Sequence, residues 1–144
     1  MKKTILCLFV IISFIALVGC DRSQGIVANA QVDIGTSIRF TQQEIEEAVD
    51  RVKEKFVDFK GCELIRLWYD EDSSYRSIEI YMTSGRGRVN DVVRENVIVL
   101  LSDFKVDSSG GDGSFNPNST YYNWAWILIR DSENDSWRVD DWGY

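Results

Sequence analysis

The sequence predicts an α+β fold in which one N-terminal amphipathic helix packs on a curved antiparallel sheet of about five strands. A capped stretch with apolar residues three and four positions apart comes first, as in a helix that buries one face. Most of the remaining chain consists of short apolar stretches separated by turn residues, which is typical of strands. About 105 residues follow Arg39, enough for one core. We therefore expect a single domain over residues 39–144.

The helix has a recognisable start. Thr41 and Glu44 have the spacing of a capping box, in which the hydroxyl and the carboxylate each accept a hydrogen bond from a backbone amide at the helix start. Gly61 is a plausible stop. The spacing predicts a helix over about residues 42–59, with an apolar stripe made by Ile45, Ala48, Val49, Val52 and Phe56.

Strand-like segments follow Gly61. The acidic and serine-rich residues 70–74 predict a turn that joins the first two segments as a hairpin. Residues 121–130 are apolar on both faces, which predicts a central strand covered on both sides. The predicted strands cover residues 62–69, 75–82, 92–106, 121–130 and 136–142.

This order of elements resembles that of cystatin-like domains and of the cone fold of nuclear-transport-factor-like proteins. The resemblance implies a curved sheet wrapped on the helix. The C-terminal third, from residue 99 (VLLSDFKVD) to the final WRVDDWGY, resembles the ending of uncharacterised small lipoproteins of Gram-positive bacteria. That second resemblance implies no activity and no catalytic residues.

The first twenty residues have the layout of an export signal. Lys2 and Lys3 precede an apolar run over residues 5–18, and the segment ends in Leu-Val-Gly-Cys20. This ending resembles the lipobox of bacterial lipoproteins, which implies a signal peptide over residues 1–19 and a lipid on Cys20. An ordinary signal peptide or an uncleaved anchor is the alternative, although the run is shorter than the roughly 20 residues that span a membrane. We expect a lipid-anchored protein on the extracytoplasmic face of the cell membrane, with residues 20–38 as a flexible tether.

Composition limits the classes of partner. Removal of the predicted signal peptide takes away Lys2 and Lys3 and changes the formal net charge from −7 to −9. This negative charge opposes binding to nucleic acids. The chain has no histidine, so it cannot form a Ser/His/Asp triad, a Cys/His dyad or a histidine-ligated zinc site. Cys62, which belongs neither to the predicted signal peptide nor to the lipid site, fits the role of a small buried apolar residue. We expect a monomer without a cofactor, whose partner is a protein or a small molecule.

Two candidate surfaces lie in the second half of the chain. The loop over residues 107–119 is rich in oxygen-bearing side chains, but Asp107 and Asp112 alone supply little charge for a cation, so we expect a flexible connection and no metal. Tyr121 and Tyr122 border this loop and form the expected rim of a ligand or partner site. Trp124 is a candidate stacking residue of that rim, although a core position is the alternative.

Asp141 is the candidate acidic residue of a pocket. Strand alternation places Asp141 on the face of Trp137 and Val139, and Asp140 on the other face with Arg138. A carboxylate at the mouth of an apolar cavity could act as a general acid or base. Hydrogen bonding at the chain end is the structural alternative. Residues 85–88 (GRGR) form a small basic island that we expect to be a solvated loop.

The sequence favours a membrane-anchored lipoprotein with a non-catalytic binding domain of unknown ligand. One alternative is a small hydrolase or isomerase that uses a buried carboxylate in a pocket between helix and sheet. Another is an inhibitor or immunity-type module for protein interaction. A cavity of about 300 Å³ between helix and sheet would favour a small-molecule site over a purely packed domain.

Overall fold

The computed structural model describes residues 24–144; the predicted signal peptide and Cys20 lie outside the described residues. The helices are α1 (Gln42–Phe56) and α2 (Glu71–Ser84), and the strands are β1 (Gln31–Asp33), β2 (Cys62–Trp68), β3 (Val97–Val106), β4 (Thr120–Ile129) and β5 (Arg138–Gly143). Short 3₁₀ turns lie at Arg86–Arg88, Arg94–Asn96 and Gly111–Gly113. The strands form one open sheet in the order β1-β2-β3-β4-β5. Because β1 is parallel to β2 and the other pairs are antiparallel, the sheet is mixed.

The two helices cover opposite faces of this sheet. Ile98 and Leu100 of β3 pack in the same core as α1, whereas Val97 and Val99 pack with α2. Strand β4 divides in the same way, with Trp126 on the α1 side. The prediction of a strand that is apolar on both faces and covered on both sides is confirmed for residues 125–129, whereas Tyr122 and Asn123 are exposed. The fold is therefore α+β with three layers.

Helix α1 begins with the capping box that the sequence predicts. Glu44 donates its backbone amide to the Thr41 hydroxyl, and the Glu44 carboxylate accepts the Thr41 amide at 2.7 Å. The apolar stripe faces the sheet and is buried. After α1 the chain turns through Gly61, whose φ of +69° favours glycine, and enters β2. The core between α1 and the sheet is filled by aromatic and aliphatic side chains.

The turn and strand predicted over residues 70–82 are wrong, because this segment is helix α2. Asp70 is its N-cap, and the Asp70 side chain accepts a hydrogen bond from the Ser73 amide at 2.9 Å. The buried residues are Ser74, Ile78 and Tyr81, which recur at helical spacing, while Ile80 is 66% exposed. The alternation of Ile78 and Ile80 therefore does not describe a shared face.

The prediction of a wholly antiparallel sheet after a flexible tether also needs correction. From Gly25 onward the segment before α1 is bonded to the domain: the Gly25 amide donates to the Val57 carbonyl at 3.0 Å, and Ile26 forms a bridge with Glu63. Strand β1 then adds to the edge of the sheet beside β2. Residues 31–33 are exposed and are held by backbone pairing. Their sequence therefore has no periodic apolar pattern that would predict a strand.

Several polar groups are fixed inside the domain. Trp126 donates its indole N–H to the Ser102 hydroxyl at 2.8 Å, and both residues are fully buried. Cys62 is a buried free thiol, as predicted; burial, and then the charge of Asp107, raise its pKa to about 11. Across residues 24–144, no helix has the length and apolar character needed to cross a membrane.

Candidate functional site

An open groove lies between α2 and the β4–β5 side of the sheet. Its volume is about 250 Å³, and most of its surface is apolar. Ile80 from α2 and Ile127 from β4 contribute to its apolar surface, and Asp141 from β5 is the acidic residue in the lining. Among residues 24–144, no lysine or arginine lines this groove. The full lining consists of Ser77, Ile80, Tyr81, Ser84, Gly85, Ala125, Ile127, Asp141, Trp142, Gly143 and Tyr144.

A register shift in β5 brings both terminal aspartates to the α2 side. Asp141 pairs with Ile127, but the next β4 residue pairs with Val139, so Asp140 is an extra residue in the strand. The Asp140 carboxylate contacts Tyr81 of α2, and Asp141 lines the groove beside the same helix. Strict alternation therefore mispredicts this strand: Val139 packs in the core on the α1 side, while Asp141 lies on the other face.

The carboxylate of Asp140 is held by a polar network at the end of α2. Tyr81 donates its hydroxyl to Asp140 Oδ2 at 2.7 Å. Asn90 Nδ2 donates to the Tyr81 hydroxyl oxygen and to Asp140 Oδ2, each at 3.1 Å. Arg86 donates to the Asp140 backbone carbonyl at 2.9 Å and lies 3.5 Å from Oδ1. Burial, followed by the hydrogen bond to Asp140, raises the pKa of Tyr81 to about 12. Tyr81 is therefore protonated at neutral pH and acts as a hydrogen-bond donor.

The basic island at residues 85–88 belongs to this network and is not a free solvated loop. It forms a 3₁₀ turn in which Gly87 is buried. A Cβ at Gly87 would lie 2.6 Å from the Tyr81 ring, so only glycine lets the turn approach the helix so closely. Arg86 thereby reaches Asp140, and the turn clamps the end of α2 to β5.

Asp141 has a different environment from its neighbour. Its Oδ1 accepts a hydrogen bond from the Trp142 amide at 2.9 Å, which fixes the carboxylate against β5. Arg86 and Tyr81 are both engaged by Asp140. Asp141 therefore supplies the negative charge that a ligand in the groove would meet.

The aromatic rim predicted from the sequence meets the groove through Tyr144. The Tyr144 ring stacks on Tyr121, with centroids 6.3 Å apart, and makes an edge contact with Trp124 at 5.2 Å. Tyr144 also lines the groove and is 85% exposed. Tyr121 and Trp124 are partly buried, and Tyr122 is exposed; none of these three lines the groove. Because Tyr121 and Trp124 pack against the α1-side core, the rim and the groove lie on opposite faces of the sheet, with Tyr144 at the edge between them.

The loop over residues 107–119 is tied to the domain at both ends and in the middle. Asp107 accepts hydrogen bonds from the Ser109 amide and hydroxyl, which lower the pKa of this carboxyl. Phe115 packs against the aromatic core through Phe59 and Phe104. Asp107 and Asp112 do not line the groove. Among residues 24–144 no group of three or more histidine, cysteine, aspartate or glutamate residues is placed to hold a metal ion.

The sequence indicates Asp141 but not the residues opposite it. Ile80 lines the groove from α2, where the sequence predicts a strand, and Ala125 and Ile127 belong to the stretch that the sequence predicts as a strand covered on both sides. A usable signal was present, since Ser74, Ile78 and Tyr81 lie at helical spacing behind an aspartate cap. The register shift at Asp140 has no comparable signal in the sequence.

The fold and the groove define a small α+β domain in which two helices enclose an open mixed sheet. Residues 39–143 match a family described as a domain of unknown function, DUF4829. The chain belongs to this family. No curated protein and no solved structure matches the chain.

Proposed function

We propose that this protein is a lipid-anchored, extracytoplasmic binding protein whose domain holds a small ligand in the groove between α2 and β5. The observation that carries the binding role is the combination of an apolar lining and one partly buried carboxylate, that of Asp141, in the groove. Ligand sites in proteins are typically concave, mostly apolar and equipped with a few oriented polar groups. The opposite face of the sheet is occupied by packed side chains under α1, so the α2 side offers the space.

The geometry supports binding over catalysis. Asp140 is engaged by Tyr81, Asn90 and Arg86, which leaves Asp141 without a second carboxylate to share acid and base roles. Asp141 itself accepts the Trp142 amide, which orients it as a fixed acceptor. A single oriented charge in an apolar groove selects a ligand, which is the role we assign to it.

The location proposal depends on the N-terminal motif. The apolar run and Leu-Val-Gly-Cys20 support export and lipid attachment. Two or more acyl chains on Cys20 would hold the protein firmly, because each buried methylene contributes about 0.8 kcal/mol. An acidic domain can then remain at a membrane without a basic face of its own.

Lipid attachment is tested by mass spectrometry of the mature N-terminus and by the Cys20→Ala variant. We expect a mature chain that begins at a lipidated Cys20, and a variant that is either unprocessed or released from the membrane fraction. Cys7→Ala is the matched control and should leave processing unchanged. Cleavage at another residue, or an unmodified Cys20, would refute the anchor.

The binding role is tested by amide NMR of the chain with a mixture of small amphipathic molecules of all charge types. We expect shifts confined to the lining residues, and their loss in Ile80→Arg, which places a long side chain across the groove. Gln43→Arg, an exposed position on α1, is the control. Shifts that map elsewhere, or survive in Ile80→Arg, would show that the groove is not the site.

A further inference from the structure

We infer that the ligand of the groove is an organic cation, with a compact apolar body and a single positive group that pairs with Asp141. This inference rests on the proposed binding function and specifies the ligand class. It follows from the charge and the size of the groove.

The charge of the groove is negative and is not compensated by its lining. Asp141 contributes a carboxylate, and no lysine or arginine is among the lining residues. Arg86, which follows Gly85 of the lining, is bound to Asp140. From residue 20 onward the chain carries a formal charge of −9, because −7 includes Lys2 and Lys3. This field attracts a cation and repels an anion.

The aromatic rings at the end of β5 do not belong to the groove. The Trp142 ring packs against Phe59 and Trp126 in the α1-side core, with Lys55 Nζ 4.9 Å from its centroid. The Tyr144 ring packs against Tyr121 and Trp124, which contact the same core. The cation preference therefore comes from the Asp141 carboxylate and the apolar lining.

The volume of the groove limits the size of the apolar body. About 250 Å³ lies just below the range of roughly 300–1,000 Å³ for drug-sized ligands. Ile80, Ala125 and Ile127 supply apolar surface for one small ring or a short alkyl chain. A small aromatic or aliphatic amine fits these requirements.

An extended peptide fits this edge of the sheet less well. A peptide that adds to β5 would need free backbone groups along that strand. Arg86 donates a hydrogen bond to the Asp140 carbonyl, and the Asp141 carboxylate accepts one from the Trp142 amide, so neither backbone group is free. The register shift at Asp140 also interrupts the regular pairing of the strand. These features favour a small molecule over a bound strand.

The test compares three probes that share one apolar body: phenethylamine as the cation, 2-phenylethanol as the neutral form and 3-phenylpropionate as the anion. Each is titrated into the chain, and the dissociation constant is taken from amide shifts of the lining residues. We expect the cation to bind about fivefold more tightly than the alcohol, the upper range for a partly exposed ion pair, and the anion to bind most weakly.

Asp141→Asn removes the charge and keeps the shape, so it should bring the cation and the alcohol to the same affinity. Asp50→Asn is the matched control, because it makes the same change on α1, on the opposite face of the sheet, and should preserve the preference. Equal affinities of the three probes in the unaltered chain would overturn the cation inference while leaving groove binding intact. If neither these probes nor the broader mixture shifts the lining residues, the binding function fails as well.

Discussion

Arg130 and Glu44 form a nearly buried ion pair whose removal should strongly destabilise the domain. Arg130 is 5% exposed, and its NH1 lies 2.7 Å from Glu44 Oε1. The guanidinium also lies 4.3 Å from the centroid of the Trp137 ring and bonds to Asn96 at 3.4 Å. Glu44 at the same time completes the capping box of α1. One carboxylate thus joins the helix start to the end of β4.

The magnitude follows from what each substitution leaves behind. Removing one partner of a fully buried pair costs about 3–5 kcal/mol, because the other charge stays desolvated. The Glu44 side chain is 23% exposed, so solvent partly screens the pair, and we expect about 3 kcal/mol for Arg130→Met and about 2 kcal/mol for Glu44→Gln. Glutamine can still accept the Thr41 amide, so Glu44→Gln isolates the charge from the cap. The double variant should be about 1–3 kcal/mol more stable than the sum of the two single-variant effects would predict.

Urea unfolding followed by tryptophan fluorescence measures these free energies, since Trp137 lies against the pair. Glu46→Gln, an exposed change one turn away from the cap, is the control and should stay within about 0.5 kcal/mol of the unaltered chain. A coupling energy below about 0.5 kcal/mol would refute the structural role of the pair.

The same pair has a defined pH dependence. Partial burial raises the pKa of Glu44, but hydrogen bonds from Thr41 and Arg130 outweigh this effect and lower it below 4.5. A carboxyl with a lowered pKa in the folded state stabilises the fold above its unfolded pKa, and this contribution disappears as the pH falls through the folded value. The stability difference between the unaltered chain and Glu44→Gln should therefore shrink in acid. A difference that stays constant down to strongly acidic pH would contradict this assignment.

Three further changes test other parts of the fold. Ser102→Ala should lower the free energy of unfolding by about 1–2 kcal/mol in urea titrations, because it leaves the buried Trp126 N–H without its acceptor; an unchanged midpoint would contradict this. Gly61→Ala should lower the thermal unfolding temperature more than Gly113→Ala does. Both glycines have positive φ, but only at Gly61 would a Cβ meet Ser109 and Asp107, at 2.6 and 2.8 Å. Equal decreases in the unfolding temperature would argue against the close approach at Gly61. In an absorbance titration, Tyr81 should ionise at a higher pH than ordinary tyrosines, because its pKa is about 12; the difference from Tyr81→Phe gives its own signal. Because this folded pKa exceeds the unfolded value near 10, its stabilising effect is present below about pH 10 and is lost as the pH rises through 12.

The parts of the fold that could be predicted are those whose signal is local. The capping box at Thr41, the helical stripe and the two-sided strand β4 each depend on residues within a few positions of one another. Helix α2 was missed because Ile78 and Ile80 alternate like strand residues, although Asp70 caps a helix there. The short edge strand β1 was missed because its pairing with β2 is long-range and its side chains are exposed.

The candidate site was predictable in its chemistry but not in its geometry. Asp141 was identified as the acid beside apolar residues, yet the extra residue at Asp140 decides which face it occupies. The side chains that contact Asp140 at this shift, Tyr81, Asn90 and Arg86, come from distant parts of the chain. No local pattern in β5 encodes it.

The strand order gives the sheet a direction relative to the proposed lipid on Cys20. Gly25, five positions after Cys20 in the sequence, is bonded to Val57 at the end of α1, and the next residue, Ile26, bridges Glu63 on the β1 side of β2. The groove lies at the β5 edge, four strand spacings away, or about 19 Å across the sheet. In the proposed anchored protein, the lipid would therefore be attached on the side of the β1 edge of the sheet, and the acidic groove would lie at the opposite edge.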